Sequence, residues 1–432
     1  MLLYRSRSRG RLLALVALTV GLSVSAEKLL ALDDTNPAPK VDQDKASTSN
    51  SGEGIQRWLD LNTLSFSFRY RNQTDSDDYR FFDNWQQRSL IDGRLKLDAD
   101  GKYAVHFHVS SGRTFNWAYS DEIGNDFQYR TSGATAAVPA AILPLLYSAV
   151  LADPSDYQMA KLAPSRGWEM SFRQLYFSAT PVKELSFEYG SIGIERGAST
   201  EATTYDDDGY LTGERLRILA PDHLFFDQIA ITFAYEGDLF QTSFFNRAER
   251  LGQSNYHQFL ASKRFGNRLS TSIDYTFDKG THTLRQALLL KVPELKAIDS
   301  VRPEFYQRLN DKVLSGQTYD SGSGFAITAS KTFAKRFQLE GGYAGIDEQY
   351  GVLTGIRIMA LFGFSMNGDA FLTGNRVFTR ANWKVTPYIT FFGYFTHQVT
   401  TPPLIDTNLN KQSLNGGATI NFQTILTKMH VL

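Results

Sequence analysis

The sequence predicts an all-β protein whose antiparallel strands close into a barrel that spans a membrane. Apolar and polar residues alternate through repeated segments of about ten residues. Beyond the first 26 residues, no uninterrupted apolar run reaches the ~20 residues that a membrane helix needs. Short turns, most of them containing Gly, Asp, Pro or Asn, alternate with long polar connections. This alternation is typical of a membrane barrel with short turns at one rim and long loops at the other.

The amino terminus differs in composition from the rest of the chain. Arginines between positions 5 and 11 precede an apolar run of 13 residues at 12–24, and Ala26 follows shortly after. Because 13 residues at ~1.5 Å each cannot cross ~30 Å of hydrocarbon, we interpret residues 1–26 as a cleaved signal peptide. Residues 27–60 are polar and predict a disordered periplasmic lead-in to a barrel at 61–432.

Charge balance and cysteine content exclude several kinds of site. The 45 basic residues equal the 45 acidic ones, so the chain lacks the basic surplus that nucleic-acid binding needs. The absence of cysteine excludes disulfides and thiolate metal sites. We expect no nucleic-acid partner and no cofactor.

The alternation defines the predicted strands. Leu64, Phe66 and Phe68 alternate with Ser65 and Ser67, so one face of this segment is apolar and the other polar. Ten such residues, tilted by ~45°, cover roughly 23 Å, close to the ~25 Å apolar band of a membrane barrel. The predicted strands are 61–71, 93–97, 103–110, 168–179, 185–189, 229–235, 240–247, 258–265, 269–277, 325–332, 337–343, 376–384, 388–397 and 414–422.

The connections between these segments give an independent count of strands. Six short turns are predicted at 98–102, 180–183, 236–238, 265–267, 333–335 and 385–387, and longer segments lie between them. Their alternation predicts about fourteen strands, while sixteen or more stay open because 215–219 and 283–290 could be further strands. An exported β sandwich is the alternative, and aromatic residues at the strand ends favour the membrane barrel.

At the level of this pattern, residues 61–432 resemble outer-membrane porins of Gram-negative bacteria. The resemblance implies a bacterial outer-membrane location, passive diffusion of small hydrophilic solutes, contacts with membrane lipid and lipopolysaccharide, and insertion by the barrel-assembly machinery. A homo-oligomer is left open. The chain departs from the family in its last residues, Val431 and Leu432, where such barrels commonly end in phenylalanine.

If apolar residues face lipid, several basic residues face the lumen. Closing the barrel brings the first and last strands together, so these residues could form one positive wall that enriches anions. The alternative is a set of hydrated side chains balanced by Asp92, Glu188, Asp274 and Glu340. The predicted pore-lining residues are Arg69, Arg71, Arg94, Lys96, His106, His108, Arg376, Arg380 and Lys384.

The connection at 112–167 is too long for an ordinary loop, and it contains an apolar stretch at 136–150. We hypothesise that it folds into the lumen as a constriction loop whose acids Asp121, Glu122 and Asp126 face the positive wall. A loop that caps the outer rim or contacts a neighbouring protomer is the alternative.

Two other clusters contain residue types that bind metal ions. Asp206, Asp207 and Asp208 could bind a hard cation, although the spacing of a known calcium loop is lacking and a solvated turn is favoured. His106 and His108 share one strand face, but polar lumen residues are a more common role than metal ligands. No catalytic motif is present, so a channel is favoured over a barrel hydrolase or a non-conducting scaffold or adhesin.

Overall fold

A computed structural model describes residues 58–74, 80–111, 118–119, 170–198, 211–220, 224–236, 243–278, 281–312, 318–319, 323–346, 374–400 and 412–429. The predicted signal peptide at 1–26, the predicted lead-in as far as residue 57 and most of the connection at 112–167 lie outside these ranges. Within the described part, no helix is long and apolar enough to cross a membrane.

The described chain is almost entirely β-sheet. The strands are β1 (Leu59–Thr74), β2 (Arg80–Lys96), β3 (Tyr103–Ser111), β4 (Ala118–Tyr119), β5 (Met170–Val182), β6 (Leu185–Ile192), β7 (Leu211–Leu219), β8 (Gln228–Glu236), β9 (Tyr256–Phe265), β10 (Leu269–Asp278), β11 (Thr281–Lys291), β12 (Ser300–Lys312), β13 (Thr318–Tyr319), β14 (Ser323–Phe333), β15 (Phe337–Ile346), β16 (Gly374–Lys384), β17 (Ile389–Thr400) and β18 (Gln412–Asn421). Two short α-helices, α1 (Phe244–Arg247) and α2 (Phe422–Lys428), and a 3₁₀ turn (Ala248–Arg250) complete the described elements.

The sheet closes on itself. Every long strand pairs antiparallel with its neighbours in chain order, and β1 pairs with both β2 and β18. Since β4 and β13 are two-residue strands, the wall is a closed barrel of 16 long strands. At the seam, Ser67 Oγ and Thr419 Oγ1 form a 2.8 Å hydrogen bond across β1 and β18.

The two faces of the wall have opposite chemistry, and the apolar one points outward. On β8, Phe233 is 47% exposed while the preceding Thr232 is 1% exposed. The same contrast occurs on β1 between Phe68 and Ser67. Large apolar side chains on the surface and polar ones inside reverse the arrangement of a soluble protein, and they fit a barrel surrounded by lipid.

The structure has the larger strand number that the sequence left open. Segments 215–219 and 283–290 belong to β7 and β11, and β12 is a strand within a stretch predicted to be a long connection. The strand predicted at 240–247 is wrong, because residues 244–247 form α1 instead. The turn predicted at 236–238 is also wrong, since β8 ends at Glu236 on the rim with the long connections.

These errors compensate one another. Omitting β7 reverses the predicted direction of β8, and the false strand at 240–247 restores the direction from β9 onward. Omitting β11 and β12 together leaves the direction of β14 unchanged. The predicted turns and loops therefore alternate regularly, although the predicted number of strands, about fourteen, is lower than the 16 long strands of the barrel.

Two adjacent glycines at the seam differ in their surroundings. A Cβ on Gly417 would collide with the carbonyl oxygen of Phe68 and lie 2.8 Å from the Cα of Arg69, whereas a Cβ on Gly416 has its nearest neighbour at 3.9 Å. We expect Gly417→Ala to reduce the free energy of unfolding by ~1–3 kcal/mol. Gly416→Ala, the matched control, should change it by no more than about 0.5 kcal/mol. Urea unfolding in lipid vesicles measures both, and equal losses would contradict the seam contact.

At each of two turns on the rim with the short turns, an aspartate fixes the register of the strands. Asp299 Oδ1 accepts from Lys331 Nζ at 2.7 Å, its Oδ2 accepts from the Thr332 N–H at 2.7 Å, and its N–H donates to the Ser330 carbonyl at 2.8 Å. Asp227 makes the same three contacts with Lys263, Arg264 and Ser262. Each aspartate therefore joins the start of one strand to the end of the next.

This contact predicts a pH dependence. The hydrogen bonds from Lys331 and Thr332 hold the pKa of Asp299 below its usual value of 3.8. Because the folded-state pKa is depressed, the stabilisation is complete above that usual value and is lost as the pH falls through the lower folded value. Asp299→Asn should remove this part of the acid dependence of unfolding. An unchanged difference in stability between pH 6 and pH 3, in roughly the range where carboxylates titrate, would refute the assignment.

The last strand is followed by a helix. Asn421 caps α2 by accepting from the Thr424 N–H at 2.9 Å, and Lys428 Nζ lies 5.0 Å from the centre of the Tyr388 ring. Phe422, which is 40% exposed, follows β18 directly. An aromatic side chain therefore closes the final strand, although the chain itself continues beyond it.

Candidate functional site

A short segment after β6 lies against the inner face of the barrel. Residues 193–198 leave the wall at Ile192, and the Glu195 carbonyl accepts from Gln258 Nε2 of β9 at 3.0 Å. The Ala198 N–H donates to Ser262 Oγ, also on β9, at 3.3 Å. Since Gln258 and Ser262 occupy inward-facing positions, this segment crosses β7 and β8 inside the lumen.

Glu195 brings a carboxylate into contact with two arginines of β7. Its Oε2 accepts from Arg217 Nε at 2.8 Å and lies 3.4 Å from Arg215 Nη1, while its Oε1 accepts from Gln228 Nε2 at 2.6 Å. Glu188 of β6 accepts from Arg215 Nη1 at 3.0 Å and also pairs with Arg217. Two carboxylates and two guanidinium groups thus alternate in a four-residue network.

The four residues of this network differ in their access to water. The side chain of Arg215 is 2% exposed and that of Glu188 6%, whereas that of Arg217 is 24% exposed. Arg215 is therefore a structural partner of both acids. Arg217 is the more exposed of the two arginines.

The network continues along the wall toward β12. Gln258 Nε2 also donates to Asp274 Oδ2 at 2.9 Å, and Asp274 lies 3.6 Å from Arg285 Nη1. The guanidinium of Arg285 lies 4.9 Å from the centre of the Tyr306 ring. Polar contacts therefore form one continuous band on the inner face from β6 to β12.

The part of the wall formed by β16, β17, β18 and β1 carries several of the predicted basic residues. Arg71 and Arg380, both predicted as pore-lining, occupy inward positions. Arg71 pairs with Asn415 on β18, Asn415 with Tyr394 on β17, and Tyr394 with Arg380 on β16, so the four residues form one row across the strands. Arg380 lies 3.6 Å from Glu340 and 5.2 Å from the centre of the Tyr394 ring. Two residues before Arg71 on β1, Arg69 Nε donates to Gln86 Oε1 at 2.6 Å. The structure thus brings Arg69, Arg71 and Arg380 to one region of the inner face.

The other predicted basic residues also occupy inward positions, but several have carboxylate partners. Asp60 lies 2.9 Å from both Arg94 Nε and Lys96 Nζ, near the short-turn rim. His108 Nδ1 lies 3.8 Å from Asp92 Oδ1. Arg376 is buried on β16 and donates to Gln398 Oε1 at 3.3 Å, and Lys384 ends the same strand. Whether these residues line a conducting pore stays a prediction.

His106 takes part in an aromatic stack within the lumen. Its ring is parallel to that of Tyr176, with centroids 4.6 Å apart, and its Nε2 forms a 2.9 Å hydrogen bond with Ser178 Oγ. A serine–histidine pair is also part of hydrolase sites, but among the described residues no carboxylate contacts the other ring nitrogen. No group of three potential metal ligands occurs in the described ranges.

Some predicted residues lie outside the described part of the chain, and some important ones were missed. Asp121, Glu122, Asp126, Asp206, Asp207 and Asp208 belong to ranges that the structure does not describe. Glu195, Arg215, Arg217 and Arg285 are not among the residues that the sequence pattern predicted to line the lumen. The spacing of two between Arg215 and Arg217 was a usable signal, because such residues share one face of a strand.

No protein-family model matches the chain, and no curated protein matches its sequence. Solved barrel structures are similar over most of it. OmpF of Salmonella typhi, in complex with daunomycin, has a TM-score of 0.47 at 9% identity and covers 84% of this chain and 97% of its own. OprB of Pseudomonas putida at high pH has a TM-score of 0.47 at 10% identity, covering 85% and 94%. A variant of the Rh. blastica porin has a TM-score of 0.45 at 7% identity, covering 84% and 100%.

The chain is thus structurally similar to Gram-negative outer-membrane porins, as the sequence pattern predicted. The similarity concerns the barrel fold.

Proposed function

We propose that this protein is an outer-membrane channel through which small hydrophilic solutes diffuse, with a preference for anions. The observation that carries the proposal is the closed barrel whose exposed outer face is apolar and whose inner face is polar. Only closed barrels and helices satisfy all backbone hydrogen bonds in lipid, so this surface chemistry supports a membrane-spanning wall.

The inward segment 193–198 supports a narrowed passage. It adds the Glu195 side chain and its own backbone to the inner face at the level of Arg217 and Gln228. Because a narrow passage with charged groups in low-dielectric surroundings sets the local potential, solutes are selected there by size and charge.

The proposed anion preference rests on the basic residues that share one part of the wall. On the part from β16 through β1, the inward positions include Arg69, Arg71 and Arg380. Glu340 of β15 lies 3.6 Å from Arg380, so the three arginines outnumber the carboxylate beside them. A surplus of fixed positive charge on one side raises the local concentration of anions.

Purified protein in a planar bilayer tests this proposal. We expect discrete conductance steps, and a reversal potential under a KCl gradient whose sign shows that chloride crosses more readily than potassium. A folded, SDS-resistant barrel that produces no steps would contradict the channel. A potassium-selective reversal potential would contradict the anion preference.

Glu195 gives a sharper test of the narrowed passage. Glu195→Gln removes one negative charge beside the partly exposed Arg217, so anion selectivity should increase. Glu294→Gln is the matched control, because Glu294 pairs with Arg268 on an exposed turn outside the lumen. If both variants shift the reversal potential equally, Glu195 does not line the passage.

A further inference from the structure

Residues 243–251, which belong to the connection between β8 and β9, lie on the outside of the barrel. Three of their contacts are with outward-facing residues: Phe245 with Phe172, Arg247 with Thr212, and Arg250 with Tyr235. The outward position of Thr212 follows from its pairing with Tyr235, which shares a face with the exposed Phe233. Residues 243–251 therefore fold back over the outer surface of β5–β8, at the rim with the long connections.

Arg247 fixes this segment to the wall. Its side chain is fully buried, its Nε donates to Thr212 Oγ1 at 3.0 Å, and its Nη2 donates to the Arg173 carbonyl at 2.9 Å and to Ser191 Oγ. A buried guanidinium is tolerated only when its donors are satisfied, and these acceptors come from three neighbouring strands. The segment thus has a defined place on the wall.

The fixed segment presents an aromatic ring outward. Phe245 is 63% exposed, and its ring meets that of Phe172 edge-on at 5.7 Å. Met170 and Phe172 are themselves exposed and lie at the beginning of β5. The apolar belt of the barrel therefore continues from the strands onto this loop, while the charged Glu249 and Arg250 follow directly.

We propose that Phe245, supported by Phe172 and held by the buried Arg247, is an anchor that inserts into the outer leaflet of the membrane. The proposal rests on the membrane-spanning barrel proposed above. Aromatic side chains prefer the boundary between headgroups and acyl chains, and this ring lies where the apolar belt meets charged residues. One aromatic ring buries ~150–250 Å², far below the ~800 Å² per partner of a stable protein interface, so lipid is the occupant that fits.

Single-cysteine labelling tests the anchor, because the chain contains no cysteine. Phe245→Cys, Phe233→Cys and Glu249→Cys are each labelled with an environment-sensitive fluorophore in phosphatidylcholine vesicles containing spin-labelled lipid. Phe233 belongs to the exposed belt of β8, and the Glu249 side chain is 75% exposed. We expect position 245 to be quenched by the spin-labelled lipid as position 233 is, and to be several-fold less sensitive to aqueous iodide than position 249.

The controls separate failure of the anchor from failure of the barrel. Quenching by lipid at 233 together with iodide access at 245 would overturn the anchor alone, and no lipid quenching at 233 would overturn the membrane-spanning barrel. Shielding of 245 from both quenchers would indicate a second copy of the chain and would also overturn the lipid anchor. The double variant Phe245→Cys/Arg247→Ala should release residues 243–251 from the wall. Lipid quenching at 245 should then fall toward the value at 249, and unchanged quenching would overturn the role of Arg247.

Discussion

Replacing Arg215 with methionine is expected to destabilise the barrel by ~3–5 kcal/mol. Arg215 is 2% exposed and contacts both Glu188 and Glu195, so its removal leaves two neighbouring carboxylates without their shared buried cation. The loss should appear as a lower free energy of unfolding in a urea titration of the protein in lipid vesicles. Arg217→Met should cost less, because Arg217 is partly hydrated.

A double variant distinguishes this explanation from simple loss of packing. Removing the charge of Glu195 together with Arg215 leaves one buried acid instead of two. Arg215→Met/Glu195→Gln should therefore be less destabilised than the sum of the single variants, because the two residues are in contact. Additive losses would show that the network does not act as a unit.

Reversing two charges on the positive part of the wall should reverse the selectivity of the channel. Arg71 and Arg380 lie in one row of inward residues, separated by the neutral Asn415 and Tyr394. In Arg71→Glu/Arg380→Glu, fixed negative charge replaces fixed positive charge, so cations become enriched in the passage. We expect the reversal potential under a KCl gradient to change sign.

A surface charge serves as the control for this experiment. Lys183 lies in the turn between β5 and β6, and its side chain is 90% exposed. Lys183→Glu should leave the sign of the reversal potential unchanged, because salt screens an exposed charge outside the lumen. If the double variant keeps its anion preference, the positive wall does not set the selectivity.

The sequence predicted the strands that alternate cleanly and missed those whose faces are mixed. β12 contains Pro303, which argues against a strand in most settings. On β7, the polar Thr212 and Glu214 share the outward face with apolar residues. The false strand at 240–247 contains adjacent phenylalanines, which an alternating pattern does not explain. Local pattern identifies a strand only where both faces have uniform surroundings.

The candidate site was partly predictable for a similar reason. Positions such as Arg71 and Arg380 follow from alternation, because the face of a strand is a local property. The position of Glu195 depends on a segment that leaves the sheet and contacts residues up to 64 positions away. Neither period nor composition carries that information. The constriction loop predicted at 112–167 lies mostly outside the described residues and stays a prediction.

The described strands are unequal in length, and this gives the mouth of the barrel a slant. β1 and β2 have 16 and 17 residues, whereas β6 has 8. At ~3.3 Å per residue and a tilt near 45°, a difference of eight to nine residues corresponds to a step of roughly 20 Å. Because β6 is the third long strand after β2 along the wall, the described rim falls from its tallest strands to its shortest one across only three neighbouring strands.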